Sequence, residues 1–252
     1  MNVSFAVQEE KVSHIVDKIS SVGFCVVENI LAPTTSRKLR RVLQALLEAE
    51  KAKNLRPSGH QRVIHLAIKH PAFLDLACHP LVLAVWRKYL GSDMICSSLT
   101  ANALWPGSTE QYWHVDHPYW TITPPYPVDV PLGGQAIWMI DDFTKDNGAT
   151  AGVPRSHHRT YPPEIGNGWS NDATLFTGKA GSVAFLDGAL WHTSTVNTTS
   201  AIRRAVLIRF IRSYCVQQED MRLQLTKLQA PSDIVQELFG ATQYTPTRDF
   251  PY

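Results

Sequence analysis

Three side chains in a chain of 252 residues, two of them close together and the third far along the sequence, are of the types that hold a redox-active metal. His114-Val115-Asp116 sets an imidazole and a carboxylate two residues apart at the end of an expected strand, Glu110–Val115. On a strand, positions i and i+2 face the same side, so a nitrogen and an oxygen ligand can reach one ion. His192, in Leu190-Trp191-His192, lies on a second expected strand that can fold back beside the first. Two imidazoles and one carboxylate on one face of an ion make the facial triad of non-haem Fe(II) oxygenases, with positions left open. Arg203 comes next, after the turn-like Asn197-Thr198-Thr199. A guanidinium is the natural partner of a carboxylate, as a dicarboxylate that chelates iron at one end needs at the other. Composition leaves plainer readings open. With ten histidines in the chain an isolated H-x-D arises by chance, and His114 with Asp116 also reads as a hydrogen-bonded surface pair. His192 also reads as a core histidine beside Trp191. Of Arg203 and Arg204 only one can turn inward, because strand neighbours face opposite ways.

The elements that must position these groups change character along the chain. Val12, Ile15, Val16 and Ile19 recur at helical spacing, with Gly23 as a stop. Phe24–Val27 reads as a short strand. A second helix from about Thr35 to Ala52 carries Leu39, Val42, Leu43, Leu46 and Leu47 on one stripe. Lys53–Gln61 reads as a loop, and two short helices fill Pro71–Leu90. After Gly91 the pattern turns to strands: Met94–Leu104, Glu110–Val115, Leu132–Ile140, Ser182–Phe185, Leu190–Val196 and Ala205–Ile211. Turn-rich stretches separate them, so the pattern is that of a sandwich or barrel and not of alternating β-α-β units. Ser232 is placed to cap a last helix through Phe239, with Gly240 as its stop.

Composition bounds the function. At 44% hydrophobic and 18% charged, the chain suits a packed core and excludes low-complexity disorder. No apolar run approaches the roughly 18 residues of a membrane span; the best, Ala205–Ile211, is short and broken by Arg209. A net charge of +2 gives no basic stripe for nucleic acid or a membrane surface. Met1–Lys11 shows no secretory pattern. The four cysteines form no C-x-x-C pair and read as reduced thiols. The expected setting is the cytoplasm.

The ordered motifs resemble the phytanoyl-CoA dioxygenase family of Fe(II)/2-oxoglutarate-dependent oxygenases. They are Gly23–Val27, Pro106-Gly107, Gln111–Asp116, Asp141-Asp142-Phe143, Asn147–Thr150, Val153–His157, Gly181-Ser182, Phe185, Asp187, Leu190–His192, Asn197 and Arg203. The resemblance runs from about residue 8 to 213. It implies a mainly β fold with flanking helices, a double-stranded β-helix or jelly-roll barrel. It implies one domain over 1–252, with a helical front at about 8–90, a jelly-roll core at about 91–213 and a C-terminal extension at 214–252. It implies His114, Asp116 and His192 as Fe(II) ligands, and Arg203 with the Ser194 hydroxyl on the distal carboxylate of 2-oxoglutarate. Gln111 and Thr150 match positions that line the cosubstrate. With O2, the expected chemistry is oxidation of a small molecule, most simply hydroxylation, with release of succinate and carbon dioxide. Asp116 is a carboxylate, unlike the small residue of related halogenases. Where the family has Val-Pro-Gly-Ser-His, this chain has Arg155, so a different turn is expected before His157 and His158.

Other groups are assigned by composition. Trp113, Tyr119, Trp120 and Trp138, with Pro124–Pro127 nearby, read either as lining for a substrate mouth or as packing. His14, His60, His65, His70 and His79 read as structural or surface groups. Lys53, Arg56, His60 and Arg62 read as a solvated cluster in preference to a lid that meets an anionic substrate. Two other functions stay open: an oxygenase acting on nucleic acid or protein, and a jelly-roll binding protein without catalysis.

Overall fold

The structure is a computed structural model that describes residues 3–164 and 169–242. It opens with α1 (Val3–Val22), which buries Val12, Ile15 and Ile19 at helical spacing. Gly23 ends the helix at a φ of +99°, and a Cβ there would sit 2.5 Å from the Leu190 side chain. Both facts call for glycine. After β1 (Phe24–Val27), α2 (Pro33–Asn54) starts on a proline, whose missing N–H costs nothing in a first turn, and buries Leu39, Leu43 and Leu47. β2 (His60–Val63), α3 (Ala72–Ala77) and α4 (Pro80–Leu90) complete the front. The strand region comprises β3 (Ile95–Leu104), β4 (Gly133–Met139), β5 (Thr150–Gly152), β6 (Thr174–Leu175), β7 (Val183–Asp187), β8 (His192–Ser194) and β9 (Arg203–Ile211). Two short helices follow, α5 (Met221–Leu225) and α6 (Asp233–Leu238). Ser232 holds the N-cap position of α6 without a side-chain capping bond, and Gly240 follows at positive φ. Residues 243–252 of the expected C-terminal extension lie outside the described residues.

Two antiparallel sheets form the body, ordered β1-β7-β4-β9-β3-β2 and β6-β5-β8. The period of two along each strand divides the large sheet into two faces. One face carries Ala136, Trp138, Val183, Phe185, Val206, Ile208 and Phe210, and joins the buried residues of α1, α2 and α4 in one apolar cluster. The other carries Ile137, Met139, Ala184, Leu186, Ala205 and Leu207, and closes on Ala149, Phe176 and Leu190 from the side of the small sheet. The space between the sheets is apolar at that end and polar at the other, where the site lies.

Two sequence expectations differ from the structure. Glu110–Val115 is not a strand: it makes only an isolated bridge, His114 to His192. Expected loop residues His60 and Gln61 belong to β2, which pairs with β3. That pairing is non-local, and the polar run His60-Gln61-Arg62 hides it. Arg155 keeps a glycine-like backbone, at a φ of +64°, while its N–H donates to Val22 O at 2.8 Å. An arginine therefore bears a left-handed angle that glycine adopts without strain.

Candidate active site

His192 opens β8, and His114 lies across from it, the two exchanging backbone bonds of 3.0 Å each way. Asp116 hangs two residues further on, its own N–H tied to Gly188 O at 2.8 Å. One donor atom from each of His114, Asp116 and His192 falls within 4.8 Å of the others. His192 Nε2 and Asp116 Oδ2 are 3.7 Å apart, and the imidazole centroids 4.3 Å. Bonds of about 2 Å to one ion place donors that share a face about 3 Å apart. Coordination therefore asks these side chains to draw in by roughly one to two ångströms.

The hydrogen bonds prepare the donors. His114 Nδ1 lies 3.0 Å from Tyr112 O and His192 Nδ1 2.8 Å from Leu190 O. A carbonyl only accepts, so each Nδ1 carries the proton and each Nε2 presents a lone pair. Burial, and then the neighbouring His192, lower the His114 pKa to about 3, which keeps that ring neutral and able to bind metal. Burial by itself would raise the Asp116 carboxyl. The adjacent Arg209 guanidinium and, after it, the two neighbouring imidazoles together outweigh it and hold the acid well below the usual carboxylate range. Asp116 Oδ1 accepts from Arg209, and Oδ2 accepts from Gln135 Nε2 at 2.7 Å. These two partners fix the carboxylate's orientation. Sequence reasoning did not assign either one. Arg209 sits at an even offset from Arg203 on β9, hence on the same face, and Gln135 of β4 is its register partner.

A cavity of about 470 Å³ extends from the histidines, lined among others by Gln111, Thr150, Ser194, Arg203 and Trp120. Arg203 faces into it, while Arg204 turns to the other side and pairs with Asp141. Arg203 is 2% exposed and touches no acid among the described residues. Its Nη2 donates to Gly148 O, its Cζ lies 4.4 Å from the Phe143 ring, and its Nε has no partner. The Ser194 hydroxyl, on the same cavity wall, is also buried and unpartnered. Burial lowers the Arg203 pKa to about 9, which measures how little its surroundings offset the charge. A buried cation beside an orphan hydroxyl, both facing a cavity that ends at a two-histidine, one-carboxylate set, suits a ligand with a carboxylate at its far end.

Other expected substrate residues lie elsewhere. Trp138 is on the opposite face of β4 from Gln135 and Ile137, fully buried, its ring 5.3 Å from His79. Trp113, one residue from His114, turns out of the cavity onto Ala151 and Val153. Tyr119 packs on Tyr126 and accepts from Leu132 N–H, beside a smaller cavity that holds His157 and His158. Of the four aromatics only Trp120 lines the main cavity. The basic cluster read as solvated lies partly inside: Arg56, His60 and Arg62 line the same cavity.

A sequence profile for the phytanoyl-CoA dioxygenase (PhyH) family matches residues 19–205. The chain is 31% identical over 150 residues to the dioxygenase af480 of Aspergillus fumigatus, spanning 59% of this chain but 47% of that protein. It is 28% identical to the ectoine dioxygenase of Nocardia farcinica over 75% of this chain and 74% of the relative. Among solved structures it resembles the epimerase SnoN in complex with Fe3+, α-ketoglutarate and nogalamycin RO, with a TM-score of 0.68 at 15% identity over 83% of this chain and 87% of the other. It also resembles HygX from Streptomyces hygroscopicus with nickel and 2-oxoglutarate bound, with a TM-score of 0.66 at 15% identity over 81% and 88%. At such identities the likeness is one of fold, the jelly-roll architecture described above.

Proposed function

Because the chain belongs to the phytanoyl-CoA dioxygenase family of oxidoreductases, we propose that it is an Fe(II)- and 2-oxoglutarate-dependent dioxygenase that hydroxylates a small organic molecule and releases succinate and carbon dioxide. The observation that carries the reading is the pairing of the His114, Asp116 and His192 donor set with the acid-free Arg203 and the orphan Ser194 hydroxyl in one cavity. The relative named ectoine dioxygenase and the solved epimerase in complex with nogalamycin RO support a small-molecule substrate. The proposal takes the chain as one working unit, with the helical front bracing the sheet that carries Arg203 and Arg209.

In this reading His114, Asp116 and His192 hold Fe(II), which when bound supplies oxygen activation coupled to decarboxylation of 2-oxoglutarate. The protein's part is positioning. Carbonyls of Tyr112 and Leu190 keep both imidazoles in the metal-binding tautomer. Arg209 and Gln135 occupy lone pairs of Asp116 and set its angle. Arg203 and Ser194 clamp the distal carboxylate of the cosubstrate, and Thr150 and Gln111 flank it. Ile137 and Leu207 give the cavity an apolar floor that limits water, while Trp120 stands at its lip, 47% exposed. With a carboxylate at position 116, the set favours hydroxylation over halide transfer. The test is release of succinate from 2-oxoglutarate by the Fe(II)-loaded protein across a metabolite panel. Coupled release with one added oxygen atom in the product is expected. Absence of succinate above background with every metabolite would count against the reading.

A further inference from the structure

The loaded site keeps more positive charge than its cosubstrate uses. With 2-oxoglutarate bound, its two carboxylates, Asp116 and Glu110 together would leave the charges of Fe(II) and of Arg209, Arg203, Arg62 and Arg56 incompletely matched. Arg203, Arg62 and Arg56 then face the cavity with Glu110 as the one acid among the lining residues. Arg203 is committed to the distal carboxylate. Arg62 is the group left over.

Its position is built, not incidental. Arg62 lies on β2 opposite Asn102 of β3, and Asn102 lies opposite Ala205 of β9. Arg62 therefore shares the inner face with Ala205 and with Arg203 and Arg209, at even offsets along β9. It lines the cavity, and its Nε is buried with no hydrogen-bond partner. It makes no ion pair with another described residue. The two acids whose charge reaches it are engaged elsewhere. Asp116 is held by Arg209 and Gln135. Glu219 accepts from the backbone N–H groups of His65 and Leu99 and from Gln224. A half-buried guanidinium with its Nε shut away and so little neutralising charge beside it is costly unless an anion completes it.

We propose that Arg62, with Arg56 beside it in the lining, determines specificity by binding a carboxylate on the small-molecule substrate. This deepens the dioxygenase reading and rests on it. The planar fork of arginine matches a carboxylate in two bonds, which fixes the orientation of the substrate as well as its affinity. The apolar remainder of the substrate then lies along Ile137 and Leu207 toward the metal ligands, with Trp120 available for stacking.

Matched acid and amide probes test this. The full chain, loaded anaerobically with Fe(II) and saturating 2-oxoglutarate, is titrated by calorimetry with indole-3-acetate and indole-3-acetamide, benzoate and benzamide, and hexanoate and hexanamide. At least one acid is expected to bind tenfold or more tightly than its amide. R62Q and R62M should bring that acid to within about twofold of the amide, with the 2-oxoglutarate Kd changed less than threefold. Equal binding of acid and amide in all three pairs, or no binding by any acid, overturns the proposal, and this comparison needs no variant. A preference that survives both substitutions overturns it too. So does a loss of 2-oxoglutarate affinity, which would assign Arg62 to the cosubstrate. The charge-transfer band of the Fe(II)–2-oxoglutarate complex separates the two levels. If the band forms and acids show no advantage, only the role of Arg62 falls. If no band forms, the dioxygenase reading falls and this inference with it.

Discussion

Replacing Arg203 by methionine separates a ligand clamp from a structural arginine. In the structure the guanidinium is 2% exposed, donates to Gly148 O, stacks on Phe143 and leaves Nε without a partner. A bound carboxylate would therefore gain charge-assisted bonds in a dry setting. Truncating one side of such a buried pair costs about 2–5 kcal/mol, which is roughly thirtyfold to a few thousandfold in affinity. Calorimetric titration of the anaerobic Fe(II)-loaded protein with 2-oxoglutarate should show the Kd of R203M raised by that factor. The ligand-free fold should respond differently. Methionine keeps most of the volume and removes the desolvation cost of a buried charge that no acid contacts, which offsets the bond lost at Gly148 O. Urea unfolding of the metal-free variant should therefore give a midpoint at or above that of the parent. A 2-oxoglutarate Kd within threefold of the parent's would refute the assignment. A midpoint lowered by more than about 2 kcal/mol of stability would show that Arg203 serves the fold itself.

Other perturbations follow from the same geometry. Burial raises the Asp187 carboxyl pKa to about 6, against bonds from Tyr89 Oη at 2.8 Å and Ala189 N at 2.6 Å. The folded state thus holds this proton more tightly than the unfolded chain, so its contribution is complete below the unfolded value near 4 and is lost as pH rises through about 6. That loss amounts to about 3 kcal/mol. Urea denaturation of D187N against the parent from pH 4 to 7 should show the variant gaining on the parent as pH rises, and a difference that does not change with pH would defeat the argument. Arg155 carries a left-handed φ of +64°. R155G should therefore raise stability by up to about 1 kcal/mol, the relieved strain being partly offset by glycine's greater freedom when unfolded. A destabilised R155G would mean that the arginine side chain itself supports the turn.

Residue types made the candidate donor set legible, but not through the geometry that sequence spacing suggested. His114 and Asp116 were expected on one face of a strand, and the segment is irregular. What holds them is the bridge of His114 to His192 and the bond of Asp116 N–H to Gly188 O. Those are long-range contacts that no local pattern encodes. The choice of Arg203 over Arg204 depends on which face of β9 is inner, and Arg209 could have been found by the same parity. Trp138 shows the limit of that rule. An alternating strand with apolar groups on both sides does not say which side meets the cavity, and helices α1, α2 and α4 decide it by covering the other face. Arg62 was hidden for another reason. β2 is four residues long, and a polar run reads as a solvated loop until its pairing with β3 is known.

In the proposed enzyme His114, Asp116 and the distant His192 grip one ferrous ion. The most direct test is anaerobic absorption spectroscopy of the chain with one equivalent of Fe(II) and excess 2-oxoglutarate, beside H192A. The parent should develop the visible metal-to-ligand charge-transfer band at one iron per chain, and H192A should not. A band of full strength in H192A, or none in the parent, would contradict the account.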